Sequence, residues 1–149
     1  MEKILIVDFG SQYTQLIARR IREMQVYCEI IPFNKFDSYE LSSQICGVIL
    51  SGSPCSVRQN DAPSVDLKTL RGHWPLLGIC YGAQYLAFSA GGMVEKSPTR
   101  EYGRAQMHVE DSSDSLMYGL DSDSIVWMSH GDTITNVPSE FHIIASTAE

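Results

Sequence analysis

Several features are scarce in this 149-residue sequence. No apolar run approaches the roughly 20 residues that a membrane-crossing helix requires, so a membrane is not expected as a partner. Basic residues are few, eleven Lys and Arg against eighteen Asp and Glu, and they form no run. The net charge of −7 and the pI near 5.0 disfavour binding to nucleic acid. None of the four cysteines (Cys28, Cys46, Cys55 and Cys80) stands in C-x-x-C spacing, which argues against a zinc ribbon or a thioredoxin-type motif. The N-terminus, MEKILIVD, carries an acid too early for a secretory signal. The cysteines are therefore expected to be reduced thiols of a cytoplasmic protein. Internal repeats and low-complexity segments are absent too. The length suits one domain with a single core.

What is present alternates. Ile4–Val7 is a short apolar run ending at Asp8-Phe9-Gly10, as expected of a central parallel strand covered on both faces. A helix opens at Gly10-Ser11, with Leu16, Ile17, Ile21 and Met24 on one face and Arg19, Arg20, Arg22 and Glu23 on the other. Residues 26–32 read as a second strand, 38–43 as a weak helix and 47–51 as a third strand running into Gly52-Ser53-Pro54. A loop over 53–64 and a short helix over 64–71 follow. Residues 75–79 predict a fourth strand, and 81–90 a helix closed by Gly91-Gly92. Such alternation implies an α/β fold with an open, mostly parallel sheet flanked by helices. Beyond residue 92 the crossover helices stop. Short strands at 93–96, 105–110, 125–129 and 142–146 predict an antiparallel extension.

One stretch asks for chemistry. In Gly78-Ile79-Cys80-Tyr81-Gly82 a cysteine stands between two glycines at a strand-to-helix junction. A nucleophile held at the tip of so tight a turn needs small residues two before and two after it. Cys80 would then lie at a helix N-terminus, which favours a thiolate. The backbone N–H of Tyr81 could hold an oxyanion, and Gly52, at a neighbouring strand end, could offer a second donor. Taken alone, Ser51–Pro54 reads as a plain turn. The elbow and the glycine together favour a site.

The stretches DFGSQYTQLIARR (8–20), ILSGSP (49–54), GICYGAQ (78–84), EYG (101–103) and WMSHGD (127–132) resemble class I glutamine amidotransferases. The first and last resemble the GMP synthase branch of that family. The resemblance implies a flavodoxin-like amidotransferase architecture over residues 1–149. It implies that Cys80 attacks the side-chain amide of glutamine and leaves a thioester, with the backbone of Gly52 and Tyr81 as oxyanion hole. Gln84, Ser129 and Asp132 would hold the substrate, Asp132 facing its α-ammonium group. Gln84 and Asp132 each have a blander reading, Gln84 as a solvated helix residue and Asp132 as the cap of a turn after Gly131, and for Ser129 a structural and a functional reading are equally open.

Two departures stand out. The oxyanion turn of the family usually reads LSGGPE, whereas here it is LSGSPC, which is tolerable if Ser53 needs no positive φ. Ala83 replaces a common Met, a loss of bulk expected to matter little. The family also supplies a histidine and an acid from an H-P-E motif, and these residues contain none. His73 lies before the fourth strand, at the wrong end for the elbow. His108 and His142 are expected far from any orienting acid. His130 is the only plausible stand-in for the base, but the resemblance gives it no base role, and it is expected to be structural or to support residues that touch the substrate. The resemblance therefore predicts that the intact protein continues past Glu149 with the His–Glu pair and an ATP-pyrophosphatase domain. That domain would use ATP and Mg2+, and the full protein could be a homodimer. No cofactor or metal is expected in the present residues, which also lack an S-G-G-x-D-S phosphate loop. Alone, they are expected to hydrolyse glutamine negligibly.

Three other readings compete. The cysteine peptidase and chaperone superfamily shares the elbow but often has a histidine where Tyr81 stands. A binding or regulatory module without turnover would need no base. A flavodoxin-like binder would need a hydroxyl-rich phosphate cradle that Phe9-Gly10-Ser11-Gln12 does not provide.

Overall fold

A computed structural model describes residues 1–147, with the backbone alone described at 98–102. The chain divides into two compact units, Met1–Ser89 and Ala90–Glu149. Among the described residues no helix is long and apolar enough to cross a membrane.

The first unit is built on four parallel strands, β1 (Lys3–Asp8), β2 (Cys28–Pro32), β3 (Ile45–Leu50) and β4 (Leu76–Gly78), in the order β2-β1-β3-β4. β1 is central for the reason its composition suggests: Leu5, Ile6 and Val7 are wholly buried. Its polar ends, Lys3 and Asp8, lie where the sheet meets the surrounding loops. The chain leaves β1 towards β2, then returns across it to β3. The C-terminal ends of β1 and β3 thus flank the point where the strand order reverses, where α/β sheets bind ligands.

Helix α1 (Thr14–Glu23) crosses between β1 and β2. Its buried face brings Ala18 and Ile21 against Ile6 and Cys28, with Ile4, Ile17, Ile30 and Ile49 packed around them. Arg19 and Arg20 on the opposite face both bond Glu23, at 3.0 and 2.8 Å. Helix α2 (Tyr81–Ser89) follows β4 directly. The helices expected at 38–43 and 64–71 are corrected by the structure. The first is a 3-10 helix over Phe33–Ser38, anchored by buried Phe36. The second is a single 3-10 turn, Leu67–Thr69, capped by the Asp66 carboxylate accepting from the Lys68 N–H, with Leu67 and Leu70 buried. In both, one or two apolar anchors are too few to hold a full amphipathic helix.

The second unit is an antiparallel sheet of its own, order β6-β5-β7. β5 (Met93–Val109) is one long strand where two short ones were expected, with a register irregularity between Lys96 and Glu101. β6 (Asp123–Asn136) pairs along it, and β7 (Ala145–Thr147) pairs with its end, so that His142 lies outside the strand expected for it.

Candidate active site

Three strand ends converge in the first unit, beginning with the turn after β4. Cys80 has φ +54°, one of only two positive values at non-glycine residues among those described. That left-handed conformation is costly for a side chain-bearing residue and is sustained only where the surroundings impose it. The flanking glycines show how. A Cβ on Gly78 would lie 2.5 Å from the Ala83 nitrogen and 2.7 Å from its Cα. One on Gly82 would run into the carbonyl of Leu50. Both collisions are with backbone, so neither glycine has a substitute. The Gly82 N–H donates to the Ser51 carbonyl at 3.0 Å and the Ile79 N–H to the Leu50 carbonyl at 2.9 Å, tying the elbow to the end of β3.

Cys80 itself is exposed. The protein around its sulfur still displaces enough water to push the thiol above its ordinary value, and a hydrogen bond from the Tyr81 N–H pulls it partly back. The net direction is opposite to that expected of a helix N-terminus, because desolvation outweighs one N–H donor. Of the other cysteines, Cys28 is buried, Cys55 half-buried and Cys46 exposed, its thiol directed at the Lys3 carbonyl.

Gly52 faces the elbow. An ideal Cβ there would lie 3.3 Å from Ser11 Oγ and 3.7 Å from Cys80 Cβ. The preceding Ser51 is fully buried, and its Oγ accepts from the Phe9 N–H at 2.9 Å while donating to the Gly52 carbonyl at 3.0 Å. Ser53 does not have a positive φ, and its Oγ accepts from the Cys55 N–H at 3.2 Å. The departure from the usual turn sequence is thereby accommodated. The third strand end is Asp8, whose Oδ1 accepts from the N–H groups of Gly10 (2.9 Å) and Ser11 (3.3 Å) and from Thr14 Oγ1 (2.7 Å). A carboxylate already takes those donors, which weighs against a phosphate cradle of the flavodoxin-like kind at this turn.

Tyr81 lies almost wholly buried among Phe9, Tyr85 and, beyond Phe9, Phe33, with ring centroids 5.3–6.1 Å apart. Its hydroxyl bonds the Pro63 carbonyl, and Tyr85 bonds Val65 at both carbonyl and N–H. These bonds hold the 53–65 loop beside the elbow. A ring so committed to packing is no substitute for the histidine of the peptidase superfamily. Burial pushes its phenol up to about 12.

Gln84 is buried, so the solvated alternative falls away. Its N–H donates to the Cys80 carbonyl at 3.1 Å, one turn into α2. Cys80, Tyr81, Gln84 and Gly52 are thus brought together. Ser129 and Asp132 belong to the second unit, on β6, opposite Tyr102 and Lys96 respectively. Gly131 and Asp132 lie inside the strand, which rules out the turn-capping reading. The side chains of Glu101 and Tyr102 in the EYG stretch lie outside the described residues.

The histidines need one correction. His108 Nδ1 is 3.2 Å from Asp123, and His142 Nε2 is 3.9 Å from Asp114 and 4.0 Å from Asp111. Antiparallel pairing sets His108 opposite Asp123, a proximity invisible until the register is known. His73 is at the entrance to β4, its ring directed at the Arg71 carbonyl, away from the elbow as expected.

The sequence profile of the family described as "Glutamine amidotransferase class-I" matches residues 5–149. The chain belongs to the class I glutamine amidotransferases. It is 58% identical over 146 residues to the "GMP synthase [glutamine-hydrolyzing]" of Cytophaga hutchinsonii and 54% identical over 149 residues to that of Porphyromonas gingivalis. These alignments cover 98% and 100% of the chain but 28% and 29% of the relatives, so the chain spans under a third of their length. Among solved structures, a Thermoplasma acidophilum protein described as a "putative gmp synthase subunit a protein" superposes with a TM-score of 0.84 at 36% identity. That match covers 99% of this chain and 74% of the other. A Thermotoga maritima glutamine amidotransferase shares the fold with a TM-score of 0.78 at 19% identity, over 99% of this amidotransferase chain and 67% of the other.

Sequence reasoning missed Ser11 and the Asp8 network. The available signal was an acid at the end of a buried strand followed within six residues by glycine, serine and threonine, which mark a carboxylate-organised turn.

Proposed function

We propose that this amidotransferase hydrolyses glutamine through Cys80, as the ammonia-supplying part of a GMP synthase. The observation that carries the reading is the enforced left-handed backbone at Cys80, with glycines on both sides that admit no Cβ. In the proposed reaction Cys80 Sγ, once deprotonated, bonds the side-chain carbonyl carbon of glutamine. The carbonyl electron pair moves to oxygen, where the N–H groups of Tyr81 and Gly52 receive it. Collapse of that intermediate breaks the C–N bond, the nitrogen takes a proton and leaves as ammonia, and a γ-glutamyl thioester remains. Water then cleaves the thioester to glutamate and frees the thiol. Gln84 supports the substrate from α2, and Ser129 and Asp132 contact its amino-acid end.

In this reading the ammonia aminates XMP to GMP. The reaction is carried out by an ATP- and Mg2+-using synthetase portion of the kind that the names and lengths of the curated relatives suggest. The protein works in the cytoplasm, where its thiols stay reduced, and the full enzyme is a candidate homodimer.

A second reading, a glutamine-binding module without turnover, draws on the raised Cys80 thiol and on the lack of a histidine beside the elbow in the first unit. One experiment separates the two. The glutamine analogue 6-diazo-5-oxo-norleucine should alkylate Cys80, read by peptide mass spectrometry, and Cys80→Ser should abolish the label. Glutamine binding with no labelling at any pH would favour the module. The 149 residues assayed alone should release glutamate far more slowly than an intact synthase, and comparable turnover would show that the base lies among them.

A further inference from the structure

The hydroxyl of Ser11 lies on the reacting side of Gly52. One point, the place a Gly52 Cβ would occupy, is 3.3 Å from Ser11 Oγ and 3.7 Å from Cys80 Cβ. Ser11 Oγ and Cys80 Cβ are therefore no further apart than those two lengths end to end, and a small group set at that point would touch both. Gly52 keeps that gap open by having no side chain.

The serine is held from behind. Asp8 fixes its backbone by accepting from the N–H groups of Gly10 and Ser11. Gly10, with φ +92°, lets the chain turn sharply enough to present residue 11 to β3. The same carboxylate holds Thr14 Oγ1 at the start of α1. Ser11 Oγ accepts from the Tyr13 N–H at 3.0 Å, so one lone pair is used. Among the described residues its own proton has no acceptor. A half-buried hydroxyl, fixed from its backbone, with an uncommitted proton and a gap facing the thiol, is built to donate.

We propose that Ser11 is a substrate-binding residue, donating its hydroxyl proton to the carboxamide oxygen of the glutamine bound against Cys80. This rests on the reading of Cys80 as the nucleophile. The oxygen gains charge as sulfur adds to the carbon, so the bond strengthens towards the tetrahedral intermediate. No covalent change occurs at Ser11, and its proton stays on Oγ.

The test measures two rates on the same thiol. Labelling of Cys80 by 6-diazo-5-oxo-norleucine depends on seating a carbonyl oxygen at the proposed position. Labelling by methyl methanethiosulfonate depends only on thiol exposure and ionisation. Ser11→Ala should slow the first about 10- to 100-fold, as expected for a lost hydrogen bond to a charged acceptor, and leave the second unchanged. Ser11→Thr, which keeps the hydroxyl, should recover most of the loss. Equal slowing of both reagents would mean that Ser11 acts on the fold or the thiol, and the proposal fails. Unchanged diazo-ketone labelling in Ser11→Ala overturns it alone, whereas no labelling of the parent chain overturns the reading of Cys80 as well.

Discussion

Cys80 pays for its position twice, in backbone strain and in a thiol harder to ionise than an ordinary one. The second has a measurable sign. Only the thiolate alkylates, so a raised value shifts reactivity to higher pH. Iodoacetamide modification of Cys80 in the folded chain should rise with pH along a curve whose inflection lies above that of the urea-unfolded chain. An inflection below it would mean that the α2 N-terminus outweighs desolvation. The glycines around the thiol divide by what they face. Gly78→Ala and Gly82→Ala each drive a methyl into backbone that cannot yield, and should cost about 3 kcal/mol or more in urea unfolding, at or past the upper end for overpacking. Gly52→Ala meets nothing closer than the Ser11 hydroxyl at 3.3 Å, on a side chain that can move a few tenths of an ångström. Its stability should change by under about 1 kcal/mol, while diazo-ketone labelling of Cys80 falls sharply because the methyl fills the gap.

Strand β1 could be read directly, since four consecutive apolar residues have no other economical place than the middle of a sheet. So could the elbow, whose glycine spacing is a steric requirement rather than a preference. The long strand β5 could not, because the Ser97-Pro98-Thr99 stretch inside it reads as a turn, and the pairing of Met93–Lys96 and Glu101–His108 with β6 on either side of it is visible only in the folded register. The loop over 53–64 was expected, but its anchoring was not legible. Nothing local shows that Tyr81 and Tyr85, one turn apart on α2, reach back to hold it at Pro63 and Val65. Tyr81→Phe keeps the ring packing and leaves the Pro63 carbonyl without that donor. It should cost about 1–2 kcal/mol and speed proteolysis within 53–65. At the other end of the sheet, β1 and β2 are joined by Lys3, Glu29 and Tyr39, with Lys3 Nζ 2.9 Å from both partners. Hydrogen bonds from Tyr39 and then Lys3 hold the Glu29 carboxyl below its usual range. A depressed carboxyl contributes stability above its unfolded value and loses it as pH falls through the folded one. The gap in urea midpoint between the parent and Glu29→Gln should therefore be widest near neutrality and close below about pH 4.

The charge of the chain is not shared between its two units. Residues 1–89 carry eight Lys and Arg against eight Asp and Glu, whereas residues 90–149 carry three against ten. The whole excess of −7 thus belongs to the β5–β6–β7 unit, and after Arg104 there is no further Lys or Arg. Some of that charge is put to use: Asp123 is held below its usual range first by the hydrogen bond with His108, and Asp111 first by the Ser113 hydroxyl. The rest repels itself. Self-repulsion opposes compaction and is screened within about 10 Å at 0.1 M salt, so thermal stability of this unit should rise between 10 and 150 mM NaCl. Asp121 is the site to probe, being exposed and, unlike Asp111, Asp114 and Asp123, outside the turn and histidine contacts. Asp121→Lys should stabilise by a few tenths of a kcal/mol, up to about 0.5, in 10 mM salt, and by less in 0.5 M salt. A gain that persists at high salt would point instead to a new short-range contact made by the lysine. A loss at low salt would mean that Asp121 is itself held by the fold, and that the excess charge is balanced more locally than its count suggests.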